Sequence, residues 1–406
     1  MTPDTTSETA TETTPETTSQ RRPPTQAATQ APILGVPLTD LRRDHTSVKW
    51  RAYPPDVLPV WVAEMDAAPC APVVAAVTEA LQRGDTGYTW GAPLSESFAS
   101  YAHDTWSWDV APGATQIVAD VMIGVAELLR LITAEGGPVV VNTPCYDSFH
   151  GFLEAIGRRA VHAPLTESRR IDLERLADAF ASATAHGERA AYLLCSPHNP
   201  TGTLHTREEL TQVAACAEKF GVRVVADEIH APIVHEGSFV PWLTVPGTQS
   251  GYAVHSASKA WNLAGLKSAI IVAGDPALER LHEVHTHGAS HLGAIAHTAA
   301  YTDGRDWLEQ LLTELDANRR LVADLIAEQL PGVVHRMPQA TYLAWLDFRA
   351  LGLGDDPAEV LLRRAKVALS SGPRYGPEGR GFARLNLATS PDILRDAISR
   401  IASSFG

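Results

Sequence analysis

Short apolar runs alternate with amphipathic stretches along most of the chain. Four runs of aliphatic residues predict strands that are buried on both faces: residues 138–142, 191–195, 222–226 and 269–273. The stretch 208–220 places Leu210, Val213 and Ala217 on one face of a helix. Strands separated by helices predict the α/β class, with a mostly parallel sheet in a three-layer α/β/α large domain.

The pattern changes from about Asp303 onward, where a smaller C-terminal α+β domain is predicted. A long helix is expected at 307–329 and another at 358–365, with strands near 340–347 and 382–387. Residues 1–33 are mostly Thr, Ser, Pro, Gln and Glu, and we predict a disordered tail there. The expected division is an N-terminal arm joining the small domain (34–75), a large domain (76–300) and a small domain (301–406).

Composition and charge narrow the possible functions. Hydrophobic residues make up 45% of the 406 residues, and the net charge of −14 argues against a nucleic-acid partner. No apolar run is long enough for a membrane span, and the N-terminus has no apolar signal core, so a cytoplasmic protein is expected. The cysteines form no Cys-x-x-Cys pair, so neither a metal site nor a disulfide framework is expected.

Polar motifs follow three of the predicted strands, at the edge where α/β sheets bind ligands. Asn199 lies in the turn Ser-Pro-His-Asn-Pro-Thr-Gly, and Asp227 opens Asp-Glu-Ile-His. Lys259 lies in Ser-Ala-Ser-Lys after a strand near 251–255, and Lys267 follows. Alone, each motif has an ordinary alternative: a turn, a helix cap or a polar loop. Their order on successive strand ends predicts one shared site.

These motifs resemble those of the fold-type I pyridoxal-phosphate enzymes, the aspartate aminotransferase superfamily. Further stretches resemble the cystathionine β-lyase, or C–S lyase, branch, and the resemblance covers residues 34 to the end. Those stretches are Leu-Pro-Val-Trp-Val-Ala-Glu-Met-Asp (58–66), Thr-Gly-Tyr-Thr (86–89), Asp-Glu-Ile-His (227–230), Ser-Lys-Ala-Trp-Asn-Leu-Ala-Gly-Leu (258–266), Thr-Tyr-Leu-Ala-Trp-Leu-Asp (341–347) and Phe-Ala-Arg-Leu-Asn-Leu-Ala (382–388). The resemblance implies a seven-stranded sheet and pyridoxal 5'-phosphate as cofactor.

The resemblance also implies roles around the cofactor ring. Lys259 would bind the cofactor aldehyde covalently and then move the substrate α-proton, and Asp227 would pair with the ring nitrogen. Asn199 would bond the ring oxygen with His230 beside it, and Tyr146 would stack on the ring and assist catalysis. A buried, satisfied histidine is the alternative for His230, and simple core packing is the alternative for Tyr146.

The cofactor phosphate would be bound by the Ser256 and Ser258 hydroxyls, Lys267 and the backbone amides of Val121 and Met122. Asp120 departs from the family pattern, which has a small residue there. Because a carboxylate repels phosphate, either Asp120 turns away or the alignment is shifted. Tyr88 resembles a tyrosine that reaches the active site of the neighbouring subunit, which implies a homodimer with a shared site.

The substrate would be a small amino acid, whose α-carboxylate Arg384 would bind as a bidentate partner. The backbone of Ala63 and the Asn199 amide would contact the same molecule. A surface arginine is the alternative for Arg384. The loop 370–376 differs from the family pattern, and its Arg374 and Tyr375 could reshape the pocket for the substrate side chain.

The branch implies a carbon–sulfur β-lyase that converts cystathionine, or a related cysteine S-conjugate, to a thiol, pyruvate and ammonia. Three alternatives stay open. The first is an aminotransferase of the same fold, which would use the same core residues. The others are a specialised lyase for a bulkier conjugate and a protein that binds a transcription regulator.

Overall fold

The computed structural model describes residues 31–111 and 113–405. The helices of this part are α1 Leu38–Asp44, α2 Val48–Arg51, α3 Ala71–Gln82, α4 Ala92–Trp106, α5 Val121–Ile132, α6 Ser148–Ala155, α7 Leu173–Thr184, α8 Arg207–Phe220, α9 His291–Asp303, α10 Arg305–Gln329, α11 Pro357–Ala365 and α12 Pro391–Ser403. The strands are β1 Leu58–Pro59, β2 Thr115–Val118, β3 Pro138–Thr143, β4 Arg159–Pro164, β5 Ala191–Cys195, β6 Arg223–Asp227, β7 Tyr252–His255, β8 Ala269–Ala273, β9 Val334–His335, β10 Leu343–Asp347, β11 Val367–Ala368, β12 Ser370–Ser371 and β13 Phe382–Asn386.

The large sheet has seven strands in the order β2-β8-β7-β6-β5-β3-β4. All neighbouring pairs from β7 to β4 are parallel, and β8 runs antiparallel to both of its neighbours. The predicted mostly parallel, seven-stranded sheet is therefore confirmed. The carboxyl ends of β3, β5, β6 and β7 meet at one edge, where the polar motifs follow.

Alternate strand residues pack into two different cores. Val139 and Val141 of β3 join one buried cluster with the apolar face of α5, whereas Val140 joins another with α7 and α8. Because side chains alternate across a strand, these two clusters lie on opposite faces of the sheet. The expected three-layer arrangement follows, since both faces are covered by helices.

The predicted elements match the observed ones closely. β5 and β8 have the expected bounds, and α8 begins one residue earlier than expected. Thr206 explains that start, because its side chain accepts the Glu209 amide while the Glu209 side chain accepts the Thr206 amide. The strand that was expected at 222–226 instead ends on Asp227, so this carboxylate belongs to the strand itself.

The C-terminal part forms a second, antiparallel sheet in the order β12-β13-β10-β9. The N-terminal arm reaches this region, since β1 pairs in parallel with β11. The division into arm, large and small domain stays a prediction. Residues 1–30 of the expected tail lie outside the described residues. Ile33, which the expected tail includes, is buried and donates its amide to Glu314 at 2.9 Å.

No helix in the described ranges is long and apolar enough to cross a membrane.

A fully buried ion pair lies within the N-terminal arm. Lys49 Nζ lies 2.7 Å from Asp66 Oδ2, and both side chains are 0% exposed. Trp50 Nε1 donates to the other carboxylate oxygen at 2.9 Å, and Lys49 also donates to the Glu64 carbonyl at 3.0 Å. Buried charges of this kind are tolerated only when each has a partner.

Lys49→Met should lower the free energy of unfolding by about 3–5 kcal/mol, because it leaves a buried carboxylate without its cation. Urea unfolding would measure the change. The matched control is Arg363→Met, which removes an exposed helical partner of Glu359 and should cost at most about 0.5 kcal/mol. Equal losses in the two variants would contradict this interpretation of the buried pair.

Candidate active site

One cavity at the carboxyl edge of the large sheet collects most of the predicted site residues. β5 and β6 end on Cys195 and Asp227, and the segments that follow them enter the cavity wall. The lining residues are Ala63, Val121, Met122, Tyr146, Cys195, Asn199, Asp227, Ile229, His230 and Lys259. Eight of these ten residues were predicted from the sequence.

The turn that carries Asn199 packs tightly against the C-terminal part. Gly202 has a φ of +66°, and a Cβ there would lie 2.2 Å from Cβ of Pro338. Its carbonyl accepts the amides of Gln339 and Ala340 at 2.9 and 3.0 Å. Glycine is therefore required both for the backbone conformation and for the close approach.

Lys259 is a cation with little compensation. Its Nζ donates to the Ala63 carbonyl at 2.9 Å, and no carboxylate of the described chain lies within ion-pair distance, 4.0 Å. Burial, together with the positive charge of Arg384, lowers the pKa of Lys259 to about 8. A sizeable fraction of the amine is thus neutral near physiological pH, which is the form that attacks an aldehyde.

Asp227 is buried at the end of β6 with few donors around it. Its Oδ1 accepts the Ile229 amide at 3.2 Å. Burial raises the pKa of Asp227 to about 7, against smaller opposing effects of that amide and of Lys259. A buried acid of this kind favours a cationic or proton-donating partner in the cavity.

Arg384 is buried on β13 and faces the same region. Its Nη1 donates to Asn199 Oδ1 and its Nη2 to the Trp61 carbonyl, both at 3.0 Å, and Nε is buried without a hydrogen-bond partner. The guanidinium lies 5.2 Å from the ring centre of Tyr375, whose hydroxyl contacts Ser370. The surface-arginine alternative is wrong, because only 4% of Arg384 is exposed.

His230 is buried beside the cavity, with its ring edge toward Tyr342 at a centroid distance of 5.9 Å. Burial, reinforced by Lys259 and Arg384, holds the pKa of His230 well below its usual range, so the imidazole is neutral. Its Nδ1 has no hydrogen-bond partner among the described residues. The alternative of a satisfied buried histidine therefore does not fit.

Tyr146 lines the cavity and also packs edge-on against Phe149, at a centroid distance of 5.5 Å. The side chain of Tyr146 therefore packs in the core and also faces the cavity.

Asp120 lies at the start of α5 and is paired with Lys267. It caps the helix by accepting the Ile123 amide at 2.8 Å, and its other oxygen lies 3.0 Å from Lys267 Nζ. Val121 and Met122 are the first two residues of α5, where backbone amides have no partner within the helix. Lys267 thus balances the charge of Asp120 beside these amides.

The Ser256 hydroxyl forms hydrogen bonds within the protein, and these compete with its predicted contact with the phosphate. Ser256 Oγ donates its only proton to the Ser268 carbonyl at 2.8 Å and accepts the Ser258 amide at 3.2 Å. It therefore fixes the turn that leads to Lys259. Ser258 is only half-buried.

Tyr88 is not part of the cavity wall, since 95% of it is exposed. Its contact with a neighbouring subunit stays a prediction. Sequence reasoning missed Tyr342, whose hydroxyl donates to the Ala63 carbonyl at 3.0 Å. The signal for Tyr342 lay in the stretch 341–347, which resembles the family. Tyr342 lies directly before the buried strand β10, and a tyrosine in that position is a candidate site residue.

The residues present fit pyridoxal phosphate. An amine with a lowered pKa suits an aldehyde, a buried acid suits a ring nitrogen, and free helix-start amides suit a phosphate. The fold is likewise that of the fold-type I pyridoxal-phosphate enzymes, a seven-stranded sheet between two helical layers. The chain belongs to the aminotransferase class I and II family, whose family model matches residues 67–401.

Similar proteins point to one branch of this family. A Mycobacterium tuberculosis protein provisionally named cystathionine beta-lyase is 49% identical over 398 residues, covering 92% of this chain and 98% of that protein. The cystathionine beta-lyase of Corynebacterium glutamicum is 32% identical over 371 residues, covering 89% and 97%. A crystal structure from Corynebacterium diphtheriae, provisionally described as a PLP-dependent beta-cystathionase, matches with a TM-score of 0.86 at 35% identity, covering 92% and 98%. The expected resemblance is confirmed.

Asp227→Asn should stabilise the cofactor-free protein in a pH-dependent way. The pKa of Asp227 is raised in the fold, so wild type carries no penalty below the ordinary value of 3.8 and the full penalty above about 7. The variant should therefore gain about 2–4 kcal/mol relative to wild type as pH rises through this window, at about 1.4 kcal/mol per pKa unit. Urea unfolding at a series of pH values would measure it.

The control for this prediction is Asp355→Asn, since Asp355 has an exposed side chain. This variant should follow wild type within about 0.5 kcal/mol at every pH. If Asp227→Asn also ran parallel to wild type, the buried acid would not be the source of the penalty.

Proposed function

We propose that the chain is a pyridoxal-phosphate-dependent carbon–sulfur β-lyase that cleaves cystathionine, or a related cysteine S-conjugate, to a thiol, pyruvate and ammonia. The observation that carries this proposal is the convergence of Lys259, Asp227 and Arg384 around one cavity. The high identity to relatives with cystathionine β-lyase names supports the choice of reaction within the family.

Five side chains would hold the cofactor ring. Lys259 would carry it covalently, and Asp227 would bond the ring nitrogen as a buried acid. Asn199 and His230 would lie at the ring oxygen, which suits the unused Nδ1 of the neutral imidazole. Tyr146 would cover one face of the ring from the cavity wall.

The phosphate would lie at the start of α5. The amides of Val121 and Met122, the Ser258 hydroxyl and the Lys267 ammonium would be its donors. Ser256 would contribute by holding the turn rather than by direct contact. Asp120 would orient Lys267 through the 3.0 Å ion pair at the cost of some repulsion.

When bound, pyridoxal phosphate supplies an electron sink for the electron pair left on the substrate α-carbon. Lys259 would take the α-proton on Nζ, which is possible because its lowered pKa makes the neutral amine available. Asp227 would hold positive charge at the ring nitrogen, opposite the reacting carbon. Aminotransferases need the same two residues, so these alone do not decide between elimination and transamination.

Arg384 would exchange partners when the substrate binds. Its two terminal nitrogens now donate to a neutral amide oxygen and a backbone carbonyl. An α-carboxylate would replace these with charge-assisted hydrogen bonds, which are about twice as strong as neutral ones. The backbone of Ala63 and the amide of Asn199 lie beside this position.

We further propose a cytoplasmic homodimer in which Tyr88 reaches the partner's site. Two aromatic side chains close in sequence, Tyr88 and Trp90, are 95% and 76% exposed, which is unusual for a surface without a partner. The cysteines of the described residues are all free thiols, which fits a reducing compartment.

The deciding experiment is incubation of the purified protein with L-cystathionine in the absence of any keto acid. Sustained release of pyruvate over many turnovers is expected from a β-lyase. An aminotransferase would stop after one half-reaction per subunit, because no amino acceptor would be present. Coupled oxidation of a reduced nicotinamide by lactate dehydrogenase would follow the pyruvate.

Lys259→Ala is the matched variant for this assay, and it should release no pyruvate and retain no covalently bound cofactor. If it kept wild-type turnover, the assignment of Lys259 would be wrong. A wild-type protein that made pyruvate only when a keto acid was added would instead favour the aminotransferase.

Arg384→Lys should raise KM for the amino acid by about 10–100-fold, because a charged hydrogen bond is worth about 1.5–3 kcal/mol and the ammonium cannot form a bidentate pair. Steady-state kinetics would measure the change, with kcat less affected. Arg363→Lys, on the exposed face of α11, is the control and should keep both constants. An unchanged KM in Arg384→Lys would contradict the carboxylate assignment.

A further inference from the structure

Residues 61–65 form an irregular segment, here called the strap, whose carbonyls are held by side chains from elsewhere. Every carbonyl oxygen of the strap accepts at least one such hydrogen bond, at 2.7–3.0 Å. The donors are Arg384 to Trp61, Asn386 to Val62, Lys259 and Tyr342 to Ala63, Lys49 and Asn386 to Glu64, and Asn262 to Met65. One backbone hydrogen bond lies within the strap, from the Glu64 amide to the Val62 carbonyl at 2.9 Å, so most of the hydrogen bonds that shape the strap come from its surroundings.

The Ala63 oxygen differs from the others because one of its two side-chain donors is the reactive amine. Lys259 Nζ lies 2.9 Å from it and the Tyr342 hydroxyl 3.0 Å. Lys259 has to leave this oxygen to act on an aldehyde or on a substrate proton. A buried carbonyl that loses all its donors costs free energy, so a second donor makes that departure easier.

The position of Tyr342 is fixed independently of Lys259. The preceding residue, Thr341, has a φ of +70°, which is a rare conformation for a β-branched residue. Its amide donates to the Ile233 carbonyl at 2.8 Å, and its carbonyl lies 2.7 Å from His235 Nε2. Thr341 thus keeps a strained backbone conformation, and the hydroxyl of Tyr342 points at the strap.

The charges around Lys259 set the background for this contact. Titratable groups that act on Lys259 come from four parts of the fold: Arg384 on β13, Asp227 on β6, Glu64 in the strap and Lys267 after the turn. Lys259 in turn acts on His230, which lies beside the cavity. None of them donates to the Ala63 oxygen. Burial raises the pKa of Tyr342, so its hydroxyl remains a donor at all physiological pH values.

We propose that Tyr342 is a positioning residue that keeps the Ala63 carbonyl bonded when Lys259 leaves it, and so makes the Lys259 amine easier to release. Two effects act in the same direction. The phenol proton and the ammonium share one acceptor, which disfavours the charged form of Lys259, and the phenol satisfies the oxygen after the amine has moved. The inference rests on the proposed role of Lys259 as the cofactor-binding amine.

The test measures the Lys259 amine itself and not turnover. The full-length protein, freed of cofactor, is treated with pyridoxal and cyanoborohydride at a series of pH values, and mass spectrometry follows labelling of the Lys259 peptide. Pyridoxal lacks the phosphate, so phosphate contacts do not contribute. Tyr342→Phe should raise the labelling midpoint by about 0.5–1 pH unit, a threefold to tenfold loss of neutral amine below the midpoint.

Tyr252→Phe is the matched control, because Tyr252 also donates its hydroxyl to a backbone carbonyl, that of Glu279, at 2.7 Å. It removes the same kind of bond away from Lys259 and should leave the midpoint unchanged. If the role of Tyr342 were purely structural, Tyr342→Phe would lower the melting temperature, as is expected of Tyr252→Phe, without moving the midpoint. That result would overturn the proposal.

If Tyr342→Phe does not fold, Tyr342→Met takes its place. It also removes the hydroxyl and keeps a large apolar side chain, so the same upward shift is expected, and an unshifted midpoint would again overturn the proposal. Absence of Lys259 labelling in wild type at any pH would instead contradict the proposed function. Labelling with equal midpoints in wild type and Tyr342→Phe would contradict this inference alone.

Discussion

The structure depends on buried charged groups at the carboxyl edge of the large sheet that do not form ion pairs with one another. Asp227 ends β6, Lys259 follows β7, and Arg384 faces the same region from β13 of the second sheet, yet no two of them form a close ion pair. A fold that only needed stability would neutralise or remove such groups. Here burial lowers the pKa of Lys259 and raises the pKa of Asp227, so that both values lie closer to neutral pH. In the function that we propose, both groups can then exchange protons, and Arg384 can bind a stronger partner.

Stability elsewhere permits this arrangement. The sheet is buried on both faces, and the arm contains the fully compensated pair of Lys49 and Asp66. The contrast between the two sites is informative, because both contain buried charges. In one, every charged atom has a partner and the role is structural. In the other, Arg384 Nε and His230 Nδ1 have no hydrogen-bond partner among the described residues, and the role that we propose is chemical.

Much of the fold and part of the site could be predicted, for identifiable reasons. Apolar runs such as 191–195 are local signals, and residues at strand ends follow from them, so Asn199, Asp227 and Lys259 could be placed together. For Tyr342, the stretch 341–347 could indicate a candidate but not its contact, because its partner is a backbone oxygen and any residue would supply one. The behaviour of Asp120 also needed coordinates, since sequence does not show that Lys267 lies beside it.

The structure of the strap has a consequence for how amino-acid substitutions can change the protein during evolution. Its shape is determined by hydrogen bonds to its main-chain carbonyls, and the donors are distant residues such as Asn386 and Asn262. The side chains of the segment are constrained as well, since Met65 is buried in the core and Ala63 lines the cavity. A substitution at one of those distant asparagines could therefore move the cavity wall at Ala63 while the sequence of the segment itself stayed the same.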